Sequence, residues 1–206
     1  MRAHRTLVAI AATAALTLSG CASDEETTTD TAPGIDATTE VGATPEDGAE
    51  FGDGEFNDAD IAFAQGMIVH HEQAIEMSDI ILGKDNIDER VTALAEDIKA
   101  AQEPEIELLS EWLAQWGAED NHAAHADDDM HGMMSDEDLE ELRAAEGTEA
   151  ARLFLEQMII HHEGALAMSD TLLAFGSNPD AHELAEEILY AQETEIDYMK
   201  ELLETL

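Results

Sequence analysis

Basic residues are scarce. The 206-residue chain carries 8 Lys and Arg against 49 Asp and Glu. A surface of that sign repels nucleic acid phosphates and anionic lipid headgroups, and it gathers cations. Nucleic acid is therefore excluded as a partner, although halophilic adaptation or plain solubility would give the same balance. Aromatic residues are few, at 4%. The apolar content comes instead from Ala, Leu, Ile and Met, residues that favour helices over sheets. No apolar run reaches the roughly 20 residues needed to span a bilayer. There is a single cysteine, Cys21. Disulfides, Cys-based metal sites and a Cys nucleophile are excluded with it if that thiol is consumed by processing.

Its position suggests such processing. Arg2 and Arg5 precede an apolar run from Leu7 to Leu18, which has the size of a signal-peptide core. Leu18-Ser19-Gly20-Cys21 then resembles a bacterial lipobox. The expectation is a signal peptide over 1–20, cleavage before Cys21 and a diacylglyceryl group on its sulfur. The protein would thus be anchored to the membrane on the extracytoplasmic face of the cell envelope. Residues 21–56 are rich in Thr, Asp, Glu, Gly and Ala without periodicity, and read as a disordered acidic tether.

A helical domain is expected over 57–206. Asn57-Asp58-Ala59-Asp60 offers caps, and an apolar stripe through Phe63, Met67, Ala74 and Ile81 predicts a first helix ending at Gly83. A second is predicted from about Asp88 to Trp116, a third from after Thr148 to Phe175, and a fourth from Asn178-Pro179 nearly to Leu206. Ser135-Asp136-Glu137-Asp138 looks like the capping box of a short extra helix. Pro104 predicts a kink in the second helix. The segment Phe63–Asp79 repeats as Phe154–Asp170, and Ala101–Ile106 repeats as Ala191–Ile196. Each copy is one helical hairpin. Two hairpins with a long connection predict an all-α, ferritin-like four-helix bundle.

Histidine and methionine are concentrated. Apart from His4 and Met1 in the leader, nearly all of the 9 His and 9 Met fall in three windows. Two are the repeat copies: Met67, His70, His71 and Met77, then Met158, His161, His162 and Met168. The third is the crossover stretch with His122, His125, Met130, His131, Met133 and Met134. In each copy Met lies one turn before the His pair. Met67 and Met77 are about 15 Å apart along a helix, so they cannot share an ion. Met199 adds a thioether on the last helix, where the repeat places Leu109. Glu72 and Glu163 point away from the His face. They are candidate supports, as are Gln102, Glu103, Glu105, Gln192, Glu193 and Glu195 on the partner helices. Imidazole suits Zn, Cu, Fe and Ni, while thioether favours Cu(I). Met stands where di-iron bundles place the Glu of Glu-x-x-His, which points to copper over a hard di-iron centre. Met as core filler and His as a hydrogen-bonded core residue are the bland alternatives.

At Met67-Ile-Val-His-His-Glu-Gln-Ala-Ile-Glu-Met77, at Met158-Ile-Ile-His-His-Glu-Gly-Ala-Leu-Ala-Met168 and at Gly132-Met-Met-Ser-Asp136, the chain resembles the bacterial domain-of-unknown-function family 305. The resemblance covers about 57–206. It implies a ferritin-like fold, an extracytoplasmic location and, from some members, copper binding and copper resistance. No catalytic constellation is present: there is no phosphate-binding glycine loop, no nucleophile elbow and no zincin spacing. The expected function is copper sequestration, buffering or handover by a metal-binding lipoprotein. A ferritin-like oxidase of iron or copper, and a metal-free envelope interaction module, are the alternatives. The sequence leaves the oligomeric state open, homo-oligomers included.

Overall fold

The two duplicated apolar stripes each need a partner stripe, and the bundle supplies them by pairing hairpin with hairpin. A computed structural model of the chain describes residues 54–118 and 132–206. The leader, Cys21 and most of the tether lie outside the described residues, as do His122, His125, Met130 and His131. Helices α1 (Asp58–Leu82) and α2 (Glu89–Gln115) form the first hairpin. α3 (Asp136–Ala144) is short, and α4 (Gly147–Phe175) and α5 (Pro179–Thr205) form the second hairpin. The described residues contain helices and no strands, and no described helix is long and apolar enough to cross a membrane. α2 runs through Pro104 without a break in helix assignment, and Pro104 lies on the exposed face, where a missing N–H faces water.

The helix directions follow from contacts between ends. Asn57 Nδ2, at the start of α1, donates to the Phe175 carbonyl at the end of α4 (3.0 Å). Arg90, at the start of α2, donates to Thr205 Oγ1 at the end of α5 (2.9 Å). Every neighbouring pair in the square is thus antiparallel, and α2 and α4 point the same way. Two successive hairpins arranged in this way are the ferritin-like topology, which has a long crossover between them.

Helix ends are tied by side chains. Asn57 caps α1 reciprocally with Asp60. Asp60 is itself fully buried, because its carboxylate also accepts from the backbone N–H of Ser177 (3.0 Å) and of Asn178 (3.1 Å) in the α4–α5 turn. Asn178 in turn caps α5 through Asp180 and Ala181 N–H. Trp112 and Trp116 stack at 5.8 Å between centroids, and Phe56 stacks on Trp116 at 5.1 Å. Together they close one end of the bundle. His182 is half-buried, with Nε2 enclosed.

The crossover is fastened over the α1–α4 face. Gln73 and Met134 exchange two hydrogen bonds, side-chain amide to backbone (2.9 and 2.7 Å). Gly132 has φ +83, and a Cβ there would meet the Ile160 carbonyl oxygen at 2.5 Å and Gly164 Cα at 3.0 Å. Only glycine suits both that backbone and that contact. The strap therefore lies against α4 in the turn that carries His161. Beyond it, α3 begins with a Ser135–Asp138 capping box. Its end is held by Lys84 Nζ, which donates to the Arg143 and Ala145 carbonyls (2.8 and 2.7 Å), and Arg143 pairs with Glu76.

Candidate metal centre

The four repeat histidines meet at the middle of the bundle. His70, His71, His161 and His162 each have 0% exposure. They divide the core in two. On one side lie Met77, Ile81, Ile98, Phe154, Met158 and Met199. On the other lie Phe63, Met67, Ile68, Leu109, Trp112 and Ile188.

His70 and His161 stack across the α1–α4 contact, with ring centroids 3.7 Å apart and planes tilted by 35°. The flanking histidines turn outward to the partner helices. His71 Nε2 lies 2.6 Å from Glu105 Oε2, and His162 Nε2 lies 2.6 Å from Glu195 Oε2. The carboxylate can only accept, so Nε2 carries the proton. In the neutral ring the lone pair is then on Nδ1. Nδ1 of both His71 and His162 is buried without a hydrogen-bond partner among the described residues. A ligating histidine commonly donates its other nitrogen to a carboxylate in this way, which sets the tautomer and raises ligand basicity.

His161 is further constrained. Burial, then the neighbouring His70, His162 and His71, hold its imidazole well below the usual range. It is neutral at physiological pH, which is the form that binds metals. Neither of its ring nitrogens has a hydrogen-bond partner among the described residues. Gln102 and Gln192, at matching positions of the two hairpins, are also buried, each with a side-chain oxygen left unpartnered. A buried polar atom without a partner costs roughly 1–3 kcal/mol, so this layer is an expensive one for a structural core.

The thioethers flank the layer. Met67 and Met158 are fully buried one turn from their His pairs, Met67 on one side and Met158 on the other. Met77 is fully buried on the Met158 side, and Met199 is buried there too. Met168 is half-buried and lines an open apolar groove with Phe63, Leu172 and Phe175. Met134 packs against the Met158 side from the strap, while Met133 is half-exposed. Glu72 and Glu163 face solvent, as do Glu103 and Glu193, whereas Glu105 and Glu195 reach the histidines. Among the described residues no group of three or more His, Cys, Asp and Glu is placed to hold a metal ion. A set that includes Met is a different matter, because thioether sulfur completes a histidine site without a third nitrogen or oxygen.

Fold and centre together define a class: a four-helix bundle of duplicated hairpins closed around a buried His and Met layer. The chain belongs to the DUF305 family, a domain of unknown function, whose family model matches residues 60–203. Crystal structures of relatives agree. A DUF305 protein from Streptomyces coelicolor, described as secreted, superposes with a TM-score of 0.65 at 31% identity, covering 71% of this chain and 93% of that one. A DUF305 fragment from Deinococcus radiodurans gives 0.64 at 30% identity, over 73% and 98%. CopM in its Cu(I)-bound form gives 0.60 at 29% identity, over 71% and 96%, and CopM is also known in Cu(II)- and Ag-bound forms. No curated protein matches the chain.

Proposed function

We propose that the protein is an extracytoplasmic, lipid-anchored copper-binding protein that sequesters, buffers or hands over the metal. The observation that carries this reading is the buried layer itself. It contains four histidines, two of them held by Glu105 and Glu195 with Nδ1 unpartnered, and it has fully buried thioethers on both sides. Such donors match a soft ion, since Cu(I) accepts few ligands and favours sulfur. The similarity to CopM, with its Cu(I), Cu(II) and Ag forms, supports copper over zinc or iron. The lipobox-like segment ending at Cys21 supports the anchor, and the similarity to a protein described as secreted supports the location. Copper is cargo here, so the protein's task is to hold it and exclude water.

The test is titration with Cu(I), Cu(II), Zn(II) and Fe(II) against competing chelators, for the wild type and for H70A/H71A/H161A/H162A with its helicity checked by circular dichroism. Saturable Cu(I) binding that disappears in a folded variant supports the reading. Absence of saturable binding, or equal binding by both proteins, overturns it.

A further inference from the structure

The two halves of the centre carry the same candidate donor residues except at one position, which has a ligand atom in one half only. His71 bonds Glu105, so α2 is registered on α1 with those residues level. Met67 lies one turn before His71, and Leu109 one turn after Glu105. Antiparallel helices bring these two to the same level, and both are in the same fully buried cluster. His162 bonds Glu195 in the same manner. Met158 lies one turn before His162, and Met199 one turn after Glu195. These are also level and fully buried in one cluster. The first half therefore presents one thioether beside its carboxylate-held histidine, and the second presents two.

One more observation points to the second half. The strap brings Met134 against the Met158 cluster, tied in place by its two bonds to Gln73. Among the described residues, the further thioether on the Met67 side is Met168, half-buried and lining the open groove.

We infer that the centre is functionally asymmetric: the tight soft-metal site is on the α4–α5 half, formed by His162 with the thioethers of Met158 and Met199, and the α1–α2 half is a weaker copy disabled by Leu109. This rests on the reading of the centre as a copper site and adds which half holds the ion and why. Two thioethers and one imidazole make a three-coordinate set suited to Cu(I). One thioether and one imidazole leave the mirror site a donor short.

The experiment compares Cu(I) stoichiometry and affinity, with a competing chelator and with Ag(I) as a redox-inert probe, in the wild type, M199L and L109M. Both substitutions exchange side chains of similar size and are tolerated in cores, and each variant's thermal unfolding is recorded beforehand. The wild type is expected to bind one ion tightly and a second at least about tenfold more weakly, tenfold being 1.4 kcal/mol. M199L should lose the tight class and keep the weak one. L109M should gain a second tight class. X-ray absorption should show two sulfur neighbours on the first ion in the wild type and fewer in M199L. Two equal ions in the wild type, or unchanged affinity and sulfur count in M199L, overturn the asymmetry. Loss of all binding in the four-histidine variant alongside an unaffected M199L leaves the copper reading standing and sinks this inference alone. Binding that survives the four-histidine variant sinks both.

Discussion

Replacing His161 by leucine should make the metal-free protein more stable. The imidazole is fully buried with two ring nitrogens that find no hydrogen-bond partner among the described residues. Each such atom costs roughly 1–3 kcal/mol relative to hydration. Against this stands the stacking on His70 at 3.7 Å, which contributes about 0.5–1.5 kcal/mol for aromatic pairs. Leucine fills a similar volume and adds apolar burial. The net expectation is a gain of about 0.5–5.5 kcal/mol in urea unfolding, followed through the fluorescence of Trp112 and Trp116. For a domain of this size that is a rise in Tm of about 2–4 °C per kcal/mol. Copper should leave the order unchanged. A ligand at 100 times its Kd stabilises the native state by about 2.7 kcal/mol, and H161L, which keeps His162, Met158 and Met199, should receive that increment as the wild type does. The reasoning is refuted if metal-free H161L is less stable than the wild type by 1 kcal/mol or more. That result would mean the His layer is a structural element satisfied by contacts such as ordered water.

Three further outcomes can be checked. E105Q/E195Q keeps the shape of both contacts but removes the charge that fixes the histidine tautomer. Cu(I) affinity should fall by about 10–100-fold, the usual effect of losing such a partner, with little change in helicity. G132A places a Cβ against the Ile160 carbonyl at a backbone φ of +83; it should cost about 1–3 kcal/mol, read by urea unfolding, and an unchanged midpoint would show that the strap does not bear on α4. The metal-free protein should lose stability as pH falls. The folded-state pKa of His161 is depressed below its ordinary 6.5, so the unfolded chain takes up the proton first. The contribution is fully present above about pH 6.5 and is lost progressively as pH falls from there towards the folded value. H161L should flatten that part of the profile.

The fold is legible because the chain states it twice. Two copies of one apolar pattern, each with a glycine after, leave little choice beyond paired hairpins, and α2 and α4 pointing the same way follows once both hairpins pack. The layer was legible to the extent that helical spacing puts Met one turn before a His pair. Which glutamate reaches the ring was not. Glu103 and Glu105 sit two residues apart on α2 and only facing decides between them, and facing depends on how the second helix rotates in its seat. Gly132 on the α4 backbone and the Gln73–Met134 tie were also hidden, since a strap without periodicity carries no pattern that reports its partner. Asp60 reads as an ordinary helix cap. Its second task, holding the α4–α5 turn through Ser177 and Asn178 N–H, becomes visible only when residues 117 and 118 positions away arrive beside it.

The sealing of the His layer has a kinetic side. With all four rings at 0% exposure, solvent cannot reach a nitrogen unless helices part, and helices part on the schedule of local unfolding. An ion held there would leave no faster than the bundle opens. Residence time would then be governed by the packing of α1 against α4 and by the strap fastened across them, so mutations far from any donor atom, such as one that loosens the Gln73–Met134 tie, would hasten release without weakening a single bond to the metal.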